Sequence, residues 1–240
     1  MTVEVCANSL ESSLNAETAG ADRIELCTEL GVGGLTPSYG MIKEARKRLN
    51  IPIHVLIRPR SGDFTYSAEE FEIMKLDIAA CQDLGCNGVV SGALHIDGRL
   101  DVERTQELLD SSGEMRFTFH RAFDWVKDPL ETAKVLEKMG VDYILTSGQQ
   151  TTAVAGLPFL LELHSQLNTC SLIPASGIRP ENALQFKEAG FDNLHLSAVK
   201  FRPTLVDPPA IPMNTHAFLE EGQIGISDPS VIQKVLEIVK

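Results

Sequence analysis

The chain has 240 residues, of which 43% are hydrophobic and 22% are charged, and its formal net charge is −12. This composition is typical of a globular protein that buries a full core, and its acidity argues against a nucleic-acid or anionic-membrane surface. The N-terminus lacks the pattern of a secretion signal, and no apolar stretch approaches the length of a membrane span.

The five cysteines are scattered along the chain and form no Cys-x-x-Cys pair. They are Cys6, Cys27, Cys81, Cys86 and Cys170. An odd number without a metal-binding spacing favours reduced thiols over a disulfide framework. We therefore expect a cytoplasmic protein.

Four segments repeat one pattern, in which Gly and one further residue precede Asp or Asn and a short strand-like run. They are AGADRIELC (19–27), LGCNGVVSG (84–92), MGVDYILTS (139–147) and AGFDNLHLS (189–197). The glycine suits a left-handed position at the end of a helix, and Asp or Asn turns the chain into a strand. The glycines lie 65, 55 and 50 residues apart, a spacing that suits two βα units.

The other predicted strands lie between these repeats, and each precedes a helical pattern. In chain order the pairs are 3–7 with 10–19, 51–59 with 67–84, 115–123 with 128–139, and 171–177 with a helix opened by Pro180. Eight alternating units favour a single (β/α)8 TIM barrel over residues 1–240, with a doubly wound open sheet as the alternative. The Pro-rich segment 200–227 predicts an irregular excursion before a last helix at 228–239.

Period-2 alternation along the strands predicts a polar barrel interior. The residues expected to point inward include Glu4, Cys6, Glu25, Cys27, His54, Arg58, Thr118, His120 and His195. Unpaired buried charges are costly, so these side chains must pair with one another or contact water or a ligand. The deeper ones also fit a satisfied ion network, whereas those at strand carboxyl ends lie where TIM barrels bind ligands.

The first candidate chemistry is soft-metal binding by Cys6 and Cys27. Both end neighbouring strands with inward parity, and adjacent strands lie about 4.8 Å apart. Two thiolates with few other ligands suit Cu(I) better than Zn(II), which takes four nitrogen or sulfur ligands. The alternative is that both thiols simply pack, since cysteine is among the most buried residue types.

The second candidate chemistry is binding of a small anion at the barrel mouth. Ser176 and Gly177 directly precede a predicted helix start, and exposed amides at such a start favour phosphate. Ser147 lies in a similar turn, and Arg58 and Arg60 supply positive charge. The alternative is that serine and glycine merely make tight turns.

The third candidate chemistry is acid–base catalysis. His120, with Glu25 or Asp124, has the groups needed to move a proton on a small phosphorylated or carboxylated metabolite. No nucleophile elbow or zinc motif accompanies these residues. The sequence therefore leaves open whether the protein is an enzyme.

Seven motifs, in order from residue 3 to about residue 200, resemble the CutC family of copper homeostasis proteins. They are EVCANS, GADRIELC, GGLTPS, IRPRSGDF, TFHRAFD, ILTSG and SGI…EN. The resemblance implies a cytoplasmic TIM barrel linked to copper, with Cu(I) bound by Cys6 and Cys27 of the EVC and RIELC motifs. It also implies a homo-oligomer, for which we expect a dimer.

The other motif residues that this chain shares with the family have charged or titratable side chains. They are Glu25, Arg58, Arg60, Asp63, His120, Arg121 and Asp124. Such residues favour a small polar ligand over a copper carrier, which would need only soft donors. Departures from the family pattern, at Ala7, Asn8, Ser61 and His95, fall in loops at the mouth and leave the ligand's identity open.

Overall fold

A computed structural model describes residues 1–207, 210–211, 213 and 222–240. Its inner wall consists of eight parallel strands: β1 Thr2–Ala7, β2 Arg23–Leu26, β3 Ile53–Leu56, β4 Gly88–Ser91, β5 Arg116–Phe119, β6 Tyr143–Thr146, β7 Ser171–Pro174 and β8 Asn193–Leu196. They follow the order β7-β6-β5-β4-β3-β2-β1-β8, and β7 lies beside β8 at the seam. This arrangement confirms the (β/α)8 TIM barrel.

The described chain surrounds this barrel with eight α-helices. They are α1 Leu10–Ala19, α2 Tyr39–Arg48, α3 Ala68–Asp83, α4 Val102–Ser112, α5 Pro129–Met139, α6 Ala153–Gln166, α7 Pro180–Glu188 and α8 Pro229–Val239. Short 3-10 helices occupy Leu30–Val32 and Arg121–Trp125. Within the residues just given, no helix is long and apolar enough to cross a membrane.

The Gly-x-Asp/Asn repeat joins the strands in pairs. Gly20 and Gly140 take the predicted left-handed conformation, each with φ of +92°. Two residues later, the Asp22 carboxylate accepts a hydrogen bond from the Val3 backbone amide, at 2.8 Å. Asn87 accepts in the same way from the Ile53 amide at the start of β3, and Asp142 accepts from the Phe117 amide in β5. In these three repeats the side chain thus fixes the even strand to the odd strand before it.

The apolar core lies between the barrel wall and the helices. Alternate strand residues face outward into this layer, and among the fully buried ones are Ile24, Leu26, Val89, Ile144 and Leu194. The opposite faces of the strands carry buried polar side chains, including Glu4, Glu25, His54 and His195. The prediction of a polar interior is therefore confirmed.

The prediction of an irregular excursion over residues 200–227 is wrong in part. The ends of this segment form an antiparallel hairpin of β9, Val199–Pro203, and β10, Gln223–Ser227. Both strands are rich in apolar and β-branched residues, whereas Pro208, Pro209 and Pro212 fall between them and outside the described residues. The hairpin packs on α1, where the Asn15 side-chain amide donates to the Ser227 carbonyl at 3.1 Å.

Candidate functional site at the carboxyl end of the barrel

Two free thiols meet at the carboxyl ends of β1 and β2. The Sγ atoms of Cys6 and Cys27 lie 3.5 Å apart, and the Cys27 amide donates to the Ala7 carbonyl, which continues the pairing of these strands. Cys6 is 7% exposed and Cys27 is fully buried behind it. The two thiols form one buried cluster with Leu56 and Val90, so the pair has an apolar floor.

A carboxylate and an imidazole lie beside the Cys6 thiol. Since β8 is the other neighbour of β1, it brings His195 to the same point, with His195 Nε2 3.5 Å from Glu25 Oε2. Donor atoms of Cys6, Glu25 and His195 all lie within 4.8 Å of one another. These three residues, with Cys27, are the donors in the barrel that could hold a metal ion.

Glu4 orients His195 from the deeper side. Its Oε1 lies 2.8 Å from His195 Nδ1, and its Oε2 accepts from Arg23 Nε at 2.5 Å. Burial disfavours the Glu4 carboxylate, but Arg23 and His195 outweigh burial and hold its pKa well below the usual value. Glu4 therefore stays ionised, and it holds the imidazole with Nε2 toward Glu25, an arrangement typical of metal-binding histidines.

The same surroundings keep protons on the cluster. The hydrogen bond with Cys27, followed by burial, raises the pKa of Cys6 well above that of a free thiol. Burial opposes the charged form of His195, but its contacts with Cys6 and the two carboxylates raise its pKa well above the usual value. Burial also raises the pKa of Glu25. A metal cation that binds here must displace protons.

Arg58 and His120 line a second wall of the same interior. The Arg58 guanidinium is 5% exposed and donates to the carbonyls of Val32, Gly34 and Gly62. His120 is buried, and its Nδ1 accepts from the Ala122 amide at 3.3 Å. Burial, reinforced by Arg58, lowers the pKa of His120 to about 3, so the ring is neutral and carries its proton on Nε2.

Asp124, the other predicted acid–base partner of His120, contacts the loop after β6. The Asp124 carboxylate accepts from the Ser147 amide and hydroxyl, from the Thr146 hydroxyl and from Arg121 Nε. It therefore holds the loop after β6. In the part of the chain that the structure describes, His120 makes no hydrogen bond to Asp124 or Glu25.

The predicted anion-binding residues separate into two groups. Arg60 pairs with Glu70 and Asp63 at the surface, away from the barrel axis. Ser176 and Gly177, by contrast, line a cavity of about 700 Å³ at the mouth, which also reaches Cys6 and His195. Both turn residues have positive φ, +81° and +72°, and the Ser176 hydroxyl donates to the Thr151 carbonyl. Cys6 and the turn before α7 thus open onto one cavity.

Comparison with known proteins places this site in a family. A model described as the CutC family matches residues 1–200, which include all eight barrel strands. The chain belongs to the CutC family. Two relatives called family protein CutC each match 82% of this chain. The one from Serratia proteamaculans is 45% identical over 78% of its own length, and the one from Edwardsiella ictaluri is 46% identical over 79% of its own length.

Solved structures agree with the family assignment. The crystal structure of a CutC protein from Streptococcus agalactiae, whose name links it to copper homeostasis, is 30% identical, with a TM-score of 0.78. It covers 82% of this chain and 98% of that chain. 3-Hexulose-6-phosphate synthase from Salmonella typhimurium shares the fold alone, at 13% identity and a TM-score of 0.62 over 100% and 98% of the two chains.

Sequence reasoning did not bring His195 to the thiols of this CutC-family barrel. It predicted an inward imidazole near mid-strand and gave it no ligand role. The available signal was the closure of the ring, which makes β8 the neighbour of β1 and aligns His195 with Glu4. Phe64, which packs against Arg58 and His120, ends the IRPRSGDF motif, but sequence reasoning gave it no role.

Proposed function

We propose that this protein binds Cu(I) through Cys6 and Cys27 and takes part in copper homeostasis in the cytoplasm. The observation that carries the proposal is the pair of free sulfur atoms 3.5 Å apart on adjacent strands. Membership of the CutC family supports it, because one relative of known structure bears a name linked to copper homeostasis. A reducing compartment such as the cytoplasm keeps such thiols free.

The donor set favours Cu(I) over harder cations. Thiolates are soft ligands that select Cu(I), whereas carboxylates and water suit magnesium or calcium. Cys27 is fully buried and clusters with Leu56 and Val90, so among the described residues the further donors near the sulfurs are Glu25 and His195, on the side of Cys6. A low coordination number of this kind suits Cu(I), with His195 as the nearest nitrogen donor.

Copper, as the bound cargo, enters through the wide cavity. Cys6 lines that cavity of about 700 Å³, whereas Cys27 lies behind it, so an arriving ion meets Cys6 first. Deprotonation of the thiol accompanies capture, because the pKa of Cys6 is raised in the metal-free protein. Affinity for Cu(I) should therefore increase with pH.

A Cu(I) titration against a competing chelator, on reduced protein without oxygen, tests the proposal. We expect one Cu(I) per chain and a loss of affinity of about 100-fold or more in Cys6→Ser and in Cys27→Ser, since each removes one of two soft ligands. Cys170→Ser is the matched control, because Cys170 is also buried and free but precedes β7 at the opposite end of the barrel. Undiminished binding in both site variants would sink the proposal.

A further inference from the structure

Arg58 is a buried cation whose charge is not balanced by a neighbouring carboxylate. Two of its nitrogen atoms donate to backbone carbonyls, the Tyr66 hydroxyl lies beside it, and no ion pair within 4.0 Å joins it to an Asp or Glu among the described residues. Its neighbour Tyr66 is a neutral phenol, since burial raises the pKa of Tyr66 to about 12. A buried guanidinium of this kind needs a counter-ion from outside the chain.

Two N–H donors beside this charge lack an acceptor. Arg58 Nε and His120 Nε2 are both buried and without a hydrogen-bond partner within the described part of the protein. The rings confirm that the two side chains are close, because the Phe64 ring lies 5.0 Å from the Arg58 guanidinium carbon and 4.7 Å from the His120 ring. Unsatisfied buried donors are rare, so each calls for an acceptor.

Both donors border one small chamber, which we call the inner cavity. It has a volume of about 100 Å³, and its walls include Arg58, His120, Glu25 and Cys6. Phe64, Leu56 and Leu145 give it an apolar side. Of its other charged side chains, Arg121 is paired with Asp124 and Glu25 is paired with His195, so the unbalanced charge is that of Arg58.

We propose that a small carboxylate binds in the inner cavity, with its oxygens accepting from Arg58 Nε and His120 Nε2 and its carbon chain against the apolar side. A carboxylate fits because it carries a negative charge and offers two acceptor oxygens, one for each of the two unpartnered N–H donors. The volume is large enough for a carboxylate group, since a cavity needs only about 10–15 Å³ of this kind of volume to hold one water. Water would satisfy the donors but leave the charge unbalanced.

This site is separate from the copper proposal. It uses neither sulfur as a ligand, although Cys6 lines the same chamber. A metabolite with a carboxylate therefore has a place next to the thiol pair whether or not copper binds there. The experiment uses metal-free, reduced protein, so that a failure of copper binding leaves its result unaffected.

Acetate is the probe for the inner cavity. Thermal unfolding of the full chain is followed in sodium acetate and in sodium chloride of equal ionic strength. At an acetate concentration about a hundredfold above the dissociation constant, we expect Tm to rise by about 5 °C. His120→Phe, which keeps the ring but removes the N–H donor, should weaken acetate binding at least about tenfold.

Two further variants sharpen the test. His120→Gln retains an N–H donor near the position of Nε2 and should bind acetate better than His120→Phe. Arg48→Met, on the exposed face of α2, removes an arginine far from the cavity and should match the wild type, whereas Arg58→Met should lose the protection. Equal acetate protection in the wild type and in His120→Phe, or a crystal structure in acetate with water alone beside Arg58, would overturn the proposal.

Discussion

At the scale of single residues, three charged side chains inside this barrel hold one another across neighbouring strands. Glu4 on β1 contacts Arg23 on β2 and His195 on β8, and the Arg23 guanidinium lies 4.7 Å from the Tyr143 ring across the interior. Such a group is stable only as a unit. Removing one partner from a buried ion pair costs about 3–5 kcal/mol, because the other charge is left unpaired.

His120 should make the protein sensitive to mild acid. Its pKa is about 3 in the folded protein against 6.5 for an ordinary histidine, so the unfolded chain binds the extra proton first as pH falls. Stability linked to this ring therefore falls as pH drops below about 6.5. Between pH 7 and pH 5 we expect the wild type to lose about 2 kcal/mol more than His120→Gln, measured by urea unfolding.

The buffer for this comparison must be free of carboxylates, because acetate is expected to bind beside the same ring. His120→Gln keeps an uncharged polar side chain, so the comparison isolates the proton. If the free energy of unfolding falls by the same amount in both proteins, the ring is not held neutral and the interpretation of the site changes.

Sequence reasoning could predict part of the site at this scale. Inward parity on adjacent strands was enough to bring Cys6 toward Cys27, because the two side chains lie on regular strands. The surroundings of Arg58 could not be predicted. They depend on loops at 32–34 and 62–64 whose glycines permit many backbone conformations, and only the folded loops bring their carbonyls to the guanidinium.

At the scale of the elements, helix α6 lies unusually close to the loop after β6. A Cβ on Gly156 would overlap with the Ser147 carbonyl oxygen and approach the Gly148 Cα at 3.0 Å. Asp124 holds the same loop through its hydrogen bonds to Ser147. The helix can pack there only because residue 156 has no side chain, and this contact supports one edge of the mouth.

Gly156→Ala should therefore destabilise the protein although alanine is the better helix former. We expect a loss of about 2–4 kcal/mol, because backbone atoms must move to admit the methyl group. Gly40→Ala on α2 is the matched control, since its nearest neighbour is a serine hydroxyl at 4.0 Å. It should raise stability by about 0.5 kcal/mol. Chemical unfolding of both variants measures these two changes. A Gly156→Ala protein as stable as the wild type, or more stable, would contradict the packing argument.

The order of the elements was more predictable than their connections. Each Gly-x-Asp/Asn repeat marks the end of a helix and the start of a strand, because both residues have a local conformational role. That Asp22 and Asn87 also bind the preceding strand could not be read from spacing, since it requires the pairing of β1 with β2 and β3 with β4. The β9–β10 hairpin was missed because the proline content of residues 200–227 dominated its pattern.

At the scale of the whole molecule, α8 completes the outer layer. It packs against α1 and α7 and so covers the barrel next to the junction of β8 and β1. Its buried side chains are Ile232, Val235, Leu236 and Val239. The family model ends at residue 200, before this helix, yet the core of this chain is not closed without it.

A chain of residues 1–200 should therefore fail to fold cooperatively. The four lost side chains contribute about 1.5–3 kcal/mol each, which together equals much of the usual stability of a domain. Circular dichroism during thermal unfolding tests this. Ile232→Ala is the control, and should fold with a loss of about 2–5 kcal/mol. A sharp transition in the shortened chain would show that α8 is dispensable.

That residues 1–240 form one domain, and that they form a dimer, stay predictions.

The ion network of Glu4, Arg23 and His195 also constrains how this barrel can diverge. Loss of Glu4 leaves the buried Arg23 without its carboxylate, and loss of Arg23 or His195 removes one of the two partners of Glu4, whereas simultaneous replacement by apolar residues of similar volume costs little. Homologous sequences should therefore keep all three residues or exchange them together. Since His195 also faces Glu25 and Cys6, a lineage that abandons the network would alter the thiol site in the same step. Substitutions in the ion network and substitutions in the thiol site are thus expected to occur together during evolution.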